Sequence, residues 1–175
     1  MKKRNLLQYL EMIEEPNREK CLQFFKYHEG IIRVSPGSKV KHQAWPGGYV
    51  DHLEETMWIA ENNYRWMNKA RPLPFTLGDV IFILFWHDVE KPFKYVLENK
   101  DLNSDEAKWN FLLAQLKEYE ISLSENHMNA LKYIHGEGDE HNPTTRIQGK
   151  LAAFCHGCDN ASARGWPNYP LPKDR

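Results

Sequence analysis

The chain has no long apolar run, almost no net charge and no even set of cysteines, and each absence removes a class of protein. Its longest apolar stretch, VIFILFW at positions 80–86, falls far short of the roughly 20 residues a membrane-spanning helix needs. Formal charge is −1, from 23 basic and 24 acidic side chains. No basic field therefore covers the molecule, and binding to nucleic acid through bulk charge is not expected, although local basic patches remain open. Three cysteines (Cys21, Cys155 and Cys158) cannot form a paired framework, which suits a reducing compartment. The opening MKKRNLLQYLEMIEE has a basic start, but acidic residues interrupt its apolar stretch, so it does not read as a signal peptide. A soluble cytoplasmic protein is expected, in a host cytoplasm if the gene is carried by a phage, with no membrane partner. At 175 residues the chain is expected to form one domain with a continuous core. Internal repeats, low-complexity segments and sustained strand-like alternation are all missing.

What is present is helical. Leu6, Leu7, Leu10 and Ile13 form an i, i+3/i+4 stripe over positions 5–15. Pro16 suits the start of a second helix that carries Cys21, Leu22, Phe24 and Phe25. Positions 30–48, rich in glycine and proline, read as an ordered loop. A third helix is expected over 48–68, before the RPLP turn at 71–74. Thr76 is a candidate N-cap for a buried fourth helix over 77–87, which Pro92 should end or bend. Ser104-Asp105-Glu106 reads as another helix start, and Ser124-Glu125 as the next, running to about position 135. GEGDEHNP at 136–143 is a loop, after which Thr144 or Thr145 is expected to cap a last helix reaching about position 163. The tail GWPNYPLPKDR at 165–175 is expected to lie extended. The fold class predicted is an all-α bundle.

Chemistry concentrates first at His87-Asp88. An imidazole beside a carboxylate at the end of a very apolar helix is costly unless paired or metal-bound. Both are good donors to zinc, manganese or iron. A metal site needs further donors, and two stand out at a distance. His52 lies in GGYVDHLEET, and Asp159 is a carboxylate within the otherwise small and apolar run LAAFCHGCDNASAR.

The order His, then His-Asp, then a distant Asp resembles the HD-domain superfamily of metal-dependent phosphohydrolases. HQAWPGGYVDHLEETMWIA (42–60) is similar to the Gly-Gly-x-x-x-His helix start of bacterial HD-domain exonucleases. FWHDVEKPFKY (85–95) matches a His-Asp-x-x-Lys signature, with Lys91 at the lysine. LAAFCHGCDNASAR (151–164) matches a terminal Asp followed by a small, Arg-containing turn. Together they cover most of positions 42–164, taken as the core of the HD-type domain. The resemblance implies that His52, His87, Asp88 and Asp159 ligate one divalent ion (Mn, Co, Zn, Fe or Mg) that activates a water for phosphate-ester hydrolysis. Glu90 would accept a proton from that water, and Lys91 would donate to the phosphate. The implied substrate is a nucleotide or similar small phosphate ester, with nucleic acid ranked behind it.

Many relatives hold two metals through two further histidines. His135, in YIHGEGDEH, resembles the later one. The earlier is replaced by SDEAKW, where Glu106 or Asp105 would have to substitute, so a mononuclear site is favoured. The same departure counts against the rival reading, an HD-type di-iron oxygenase. A non-catalytic nucleotide-binding HD module is the third. His42, Lys94 and Arg164 are candidates for holding substrate, His141 for lining the site, and His156 for orienting a ligand. His28 and His127 read as surface residues, and Cys155-x-x-Cys158 as small-residue packing rather than a zinc pair. Oligomeric state is not encoded in any of these motifs.

Overall fold

A computed structural model describes residues 4–166. The elements are α1 (Leu6–Leu10), α2 (Asn17–Val34), α3 (Gly48–Ala70), α4 (Leu77–Trp86), α5 (Lys91–Tyr95), α6 (Asp105–Glu118), α7 (Glu125–Tyr133) and α8 (Lys150–Gly165), with 3₁₀ turns at Lys100–Asn103 and Gly138–Glu140. No strand occurs among the described residues, and none of their helices is long and apolar enough to cross a membrane.

Helix α4 is the axis of the fold. Thr76 caps it: its hydroxyl accepts from the Asp79 amide at 3.0 Å, while the Asp79 carboxylate accepts from the Thr76 amide at 2.8 Å. From Val80 to Trp86 every side chain is buried, as a helix that is apolar all round must be. Helices α1, α3, α7 and α8 pack around it. Each aliphatic side chain so removed from water contributes about 1.5–3 kcal/mol before entropy is counted. The N-terminal helices belong to the same core, through Leu6, Tyr9, Leu10, Cys21, Phe24 and Phe25.

Several boundaries differ from the sequence expectations. Helix α1 stops at Leu10 and Ile13 is buried from a turn. Helix α2 runs through Gly30 to Val34 and shortens the loop to residues 35–47. Pro92 does not terminate α4, which ends at Trp86. It sits instead in the first turn of α5, where a missing N–H costs nothing. Neither Thr144 nor Thr145 caps α8. Their amides bond to Asn142 Oδ1 in a turn, and Gly149 is the N-cap, its own amide held 2.7 Å from Asn129 Oδ1. Of the expected extended tail, Gly165 closes α8 and residues 167–175 lie outside the described residues.

Two consecutive glycines join the 35–47 loop to α3. Gly47 has φ +82°, which disfavours any side chain. At Gly48 a Cβ would stand 1.9 Å from the Gln43 carbonyl oxygen. The pair thus lets the loop lie directly on the first turn of α3 and brings Gln43 over that helix.

Candidate metal centre

Three elements deliver the donors. His52 lies one turn into α3, His87 is the C-cap of α4 with Asp88 next to it, and Asp159 lies on α8. His52, His87 and Asp88 are buried, and the Asp159 side chain is 14% exposed. One donor atom from each of the four lies within 4.8 Å of all the others. His87 Nε2 is 3.0 Å from Asp88 Oδ2 and 3.5 Å from Asp159 Oδ1, and His52 Nε2 is 3.1 Å from Asp159 Oδ1 and 3.8 Å from Asp88 Oδ2. Donors bound at about 2.0–2.2 Å to one cation lie roughly 3–4 Å apart. The set has the dimensions of a coordination shell.

Both imidazoles turn Nε2 toward the two carboxylates. Nε2 of His52 and Nε2 of His87 are both buried without a hydrogen-bond partner, an arrangement that costs free energy unless something else occupies the lone pairs. On His87, Nδ1 lies 2.7 Å from the Leu84 carbonyl, which can only accept, so Nδ1 carries the proton and Nε2 the lone pair of the neutral ring.

On His52, Nδ1 lies 3.1 Å from Ser162 Oγ. The Ser162 hydroxyl donates to Glu55 Oε2 at 2.8 Å, having no second proton, and therefore accepts from His52. Gln43 Nε2 donates to the same Glu55 oxygen at 2.8 Å, and Gln43 Oε1 accepts from Nδ1 of His42 at 2.8 Å. A single buried carboxylate, Glu55, thus sets the proton positions of His52 and His42 together. Gln43 holds its place at φ +42°, in the left-handed region, a strained conformation of the kind retained where surrounding contacts require it.

The electrostatics also call for a cation. Asp88 and Asp159 face the same point, and Lys91 Nζ, 2.5 Å from Asp88 Oδ2, supplies one positive charge against two negative ones. Burial disfavours the His87 imidazolium, but Asp88 and Asp159 outweigh it and raise the pKa to about 10, so in the absence of a cation a second proton occupies Nε2, the position a bound metal ion would take in its place. Burial dominates at His52 and lowers its pKa to about 4 despite Asp159. Burial would raise the Asp159 carboxyl, but the two imidazoles that face it, His52 and His87, outweigh burial and hold it well below the usual carboxylate range. Glu90 is buried beside the cluster, and burial together with the Asp88 charge raises its carboxyl to about 7.

The other predicted residues fall at the rim or outside it. The His42 ring centroid is 5.0 Å from that of His52. His135 Nε2 stands 3.7 Å from Asp88 Oδ1 with its side chain 57% exposed. Lys94 follows Lys91 by one turn of α5 and lies over the Tyr95 ring. Glu106 is exposed on α6 and does not enter the donor group, and neither does Asp105, which pairs with Lys108 at 2.7 Å. Arg164 is exposed on the last turn of α8. His141 pairs with Glu137 on the surface. His156 Nδ1 bonds to the Ile134 carbonyl and so ties α8 to the end of α7 rather than to a donor. His127 is not a surface residue: its Nε2 pairs with Asp79 Oδ1 at 2.8 Å. Cys155 and Cys158 are free and packed in the core.

Gln43, Glu55 and Ser162 were not marked by the sequence reading. Two of them carry a faint signal, since Glu55 follows His52 by three residues and Ser162 follows Asp159 by three, the spacing that puts side chains on one helix face. No protein-family model matches this chain, and no curated protein and no solved structure matches it either.

Proposed function

We propose that this chain is a mononuclear metal-dependent phosphohydrolase acting on a nucleotide or a similar small phosphate ester. The observation that carries the reading is the pair of buried, unpartnered Nε2 atoms of His52 and His87, aimed at the space shared by Asp88 and Asp159. The resemblance of GGYVDH, HDVEK and the Asp159 segment to HD-domain phosphohydrolases supplies the reaction class. Two neutral imidazoles and two carboxylates suit zinc, manganese, cobalt or iron. A divalent ion in such a shell lowers the pKa of a water and polarises a phosphoryl oxygen.

The chain's own groups then divide the remaining work. Glu90, with a carboxyl near neutrality, is suited to take a proton from the attacking water. Lys91 offsets the Asp88 charge and would donate to a phosphate oxygen. His42 keeps Nε2 as an acceptor on the rim, because its Nδ1 proton is committed to Gln43. With Lys94 and His135 it would orient the rest of the ester. A single ion is favoured because Glu106 and Asp105 are outside the donor group, leaving His135 without companions for a second.

The test is to strip the purified protein with a chelator, assay a panel of nucleoside mono-, di- and triphosphates, and add back manganese, cobalt, zinc or iron singly. Phosphate release that returns with metal and vanishes in His87→Ala is expected. Turnover that is indifferent to the chelator would end this reading.

A further inference from the structure

On the far face of α8 lies a second concave feature, which shares no residue with the metal centre. The cleft has a volume of about 870 Å³ and runs between the C-terminal turns of α3 and the first half of α8. Helix α8 presents Phe154 and Cys158 to it, whereas Asp159 and Ser162 face the metal centre. We propose that this cleft is a binding site for a mononucleotide-sized aromatic anion, a planar ring carrying a phosphate.

Five observations support it. The volume falls within the range of small-molecule sites, about 300–1,000 Å³, rather than that of a flat protein interface. The floor is apolar, with Met67, Phe75 and Phe154. At the rim stands Trp66, 74% exposed and so offering an open ring face for stacking.

The charges around the cleft are all of one sign. Arg71, Arg146 and Lys150 line it, all three are exposed, none is engaged in an ion pair among the described residues, and no acidic side chain lines the cleft. Unpaired cations around an apolar floor are complementary to a ligand with an apolar body and an anionic group. A second copy of the chain, docked through a twofold contact, would instead bring these like charges together.

The backbone beneath the cationic rim is also pre-formed. The segment from Arg146 to Lys150 is tied from beneath: Glu137 accepts the Ile147 and Gln148 amides at 3.1 and 2.9 Å, and Gln148 Nε2 donates to the Tyr133 carbonyl at 2.8 Å. Asn129 adds bonds to the Gly149 amide and the Ile147 carbonyl. A ligand would thus pay little to order this side of the site.

The experiment is calorimetric titration of the full chain with adenosine 5′-monophosphate in excess chelator, which removes the metal's share of binding at the first site and leaves the cleft substitutions to assign what binding remains. Adenosine and inorganic phosphate serve as separate probes. One-to-one binding of the monophosphate is expected, with each fragment weaker by about tenfold or more. The exposed charge-reversal pair Arg71→Glu/Arg146→Glu should weaken it by at least about tenfold, and Trp66→Ala by about tenfold, with unchanged melting temperature and unchanged metal affinity. Absence of binding, equal affinity for adenosine, or indifference to the charge reversal would overturn the proposal. So would a dimer that Trp66→Ala dissociates, which would show the cleft to be a contact between copies. None of these results bears on turnover at the metal centre, so the two readings fail separately.

Discussion

Ser162 Oγ lies 3.1 Å from Nδ1 of His52, across 110 residues of sequence, and accepts its proton because the serine proton is already given to Glu55. A serine hydroxyl thus decides which nitrogen of a histidine is free to bind a cation. Partners of this kind commonly contribute 10–100-fold to metal affinity. Ser162→Ala should therefore weaken zinc or manganese binding by about that factor, measured by competition with a chromophoric chelator, while circular dichroism stays native. Unchanged affinity would show that His52 is oriented by packing alone.

Asp88 and Lys91 form a buried pair 2.5 Å apart. Removing one member of such a pair strands the other, at a cost of about 3–5 kcal/mol. Asp88→Ala should lower the stability of the metal-free protein by a few kcal/mol on this scale, seen in urea denaturation. Asp88→Ala/Lys91→Met should recover a good part of that loss. A double variant no more stable than the single would mean that the ammonium escapes to solvent.

At Gly48 the clash with the Gln43 carbonyl leaves no room for a methyl group. Gly48→Ala should push the 35–47 loop off α3, destabilise the fold by about 2–4 kcal/mol and withdraw Gln43 from Glu55. Metal affinity should fall with it, although no donor atom is touched. A native melting temperature in this variant would contradict the packing described.

The Asp79–His127 pair links α4 to α7 and sets an acid limit on stability. Its hydrogen bond to His127, opposed in part by burial, lowers the Asp79 pKa from the ordinary 3.8. Because the folded value lies below the unfolded one, this stabilisation is complete above about pH 4 and is lost as pH falls through the folded value. Melting temperatures of wild type and Asp79→Asn should differ at neutral pH and converge only in acid, once the pH has fallen below the lowered folded value of the carboxyl. A gap that persists in strong acid would assign the loss to something other than the carboxylate charge.

All three thiols are buried. Burial pushes Cys21 and Cys158 up to about 12, against smaller opposing contributions from Trp86 and Asn63, and holds Cys155 well above its ordinary value. A thiol held protonated and covered is unreactive. Ellman's reagent at pH 8 should find no rapidly reacting cysteine in the native protein and three after denaturation.

Much of this molecule was readable from residue order because the relevant physics is local. Thr76 and Asp79 cap α4 across three positions, Ser104 and Ser124 cap their helices in the same way, and the run Val80–Trp86 is too apolar to lie anywhere but inside. The donor types at positions 52, 87, 88 and 159 were likewise visible, since a carboxylate and an imidazole in apolar surroundings need a partner. What residue order left undecided lies in relations between helices. Nothing local sends α3, the end of α4 and α8 to a common point, excludes Glu106 from it, or assigns the His52 proton through Ser162 to Glu55. A cap is set within one helical turn, whereas a coordination shell and the cleft behind it exist only once separate helices have packed.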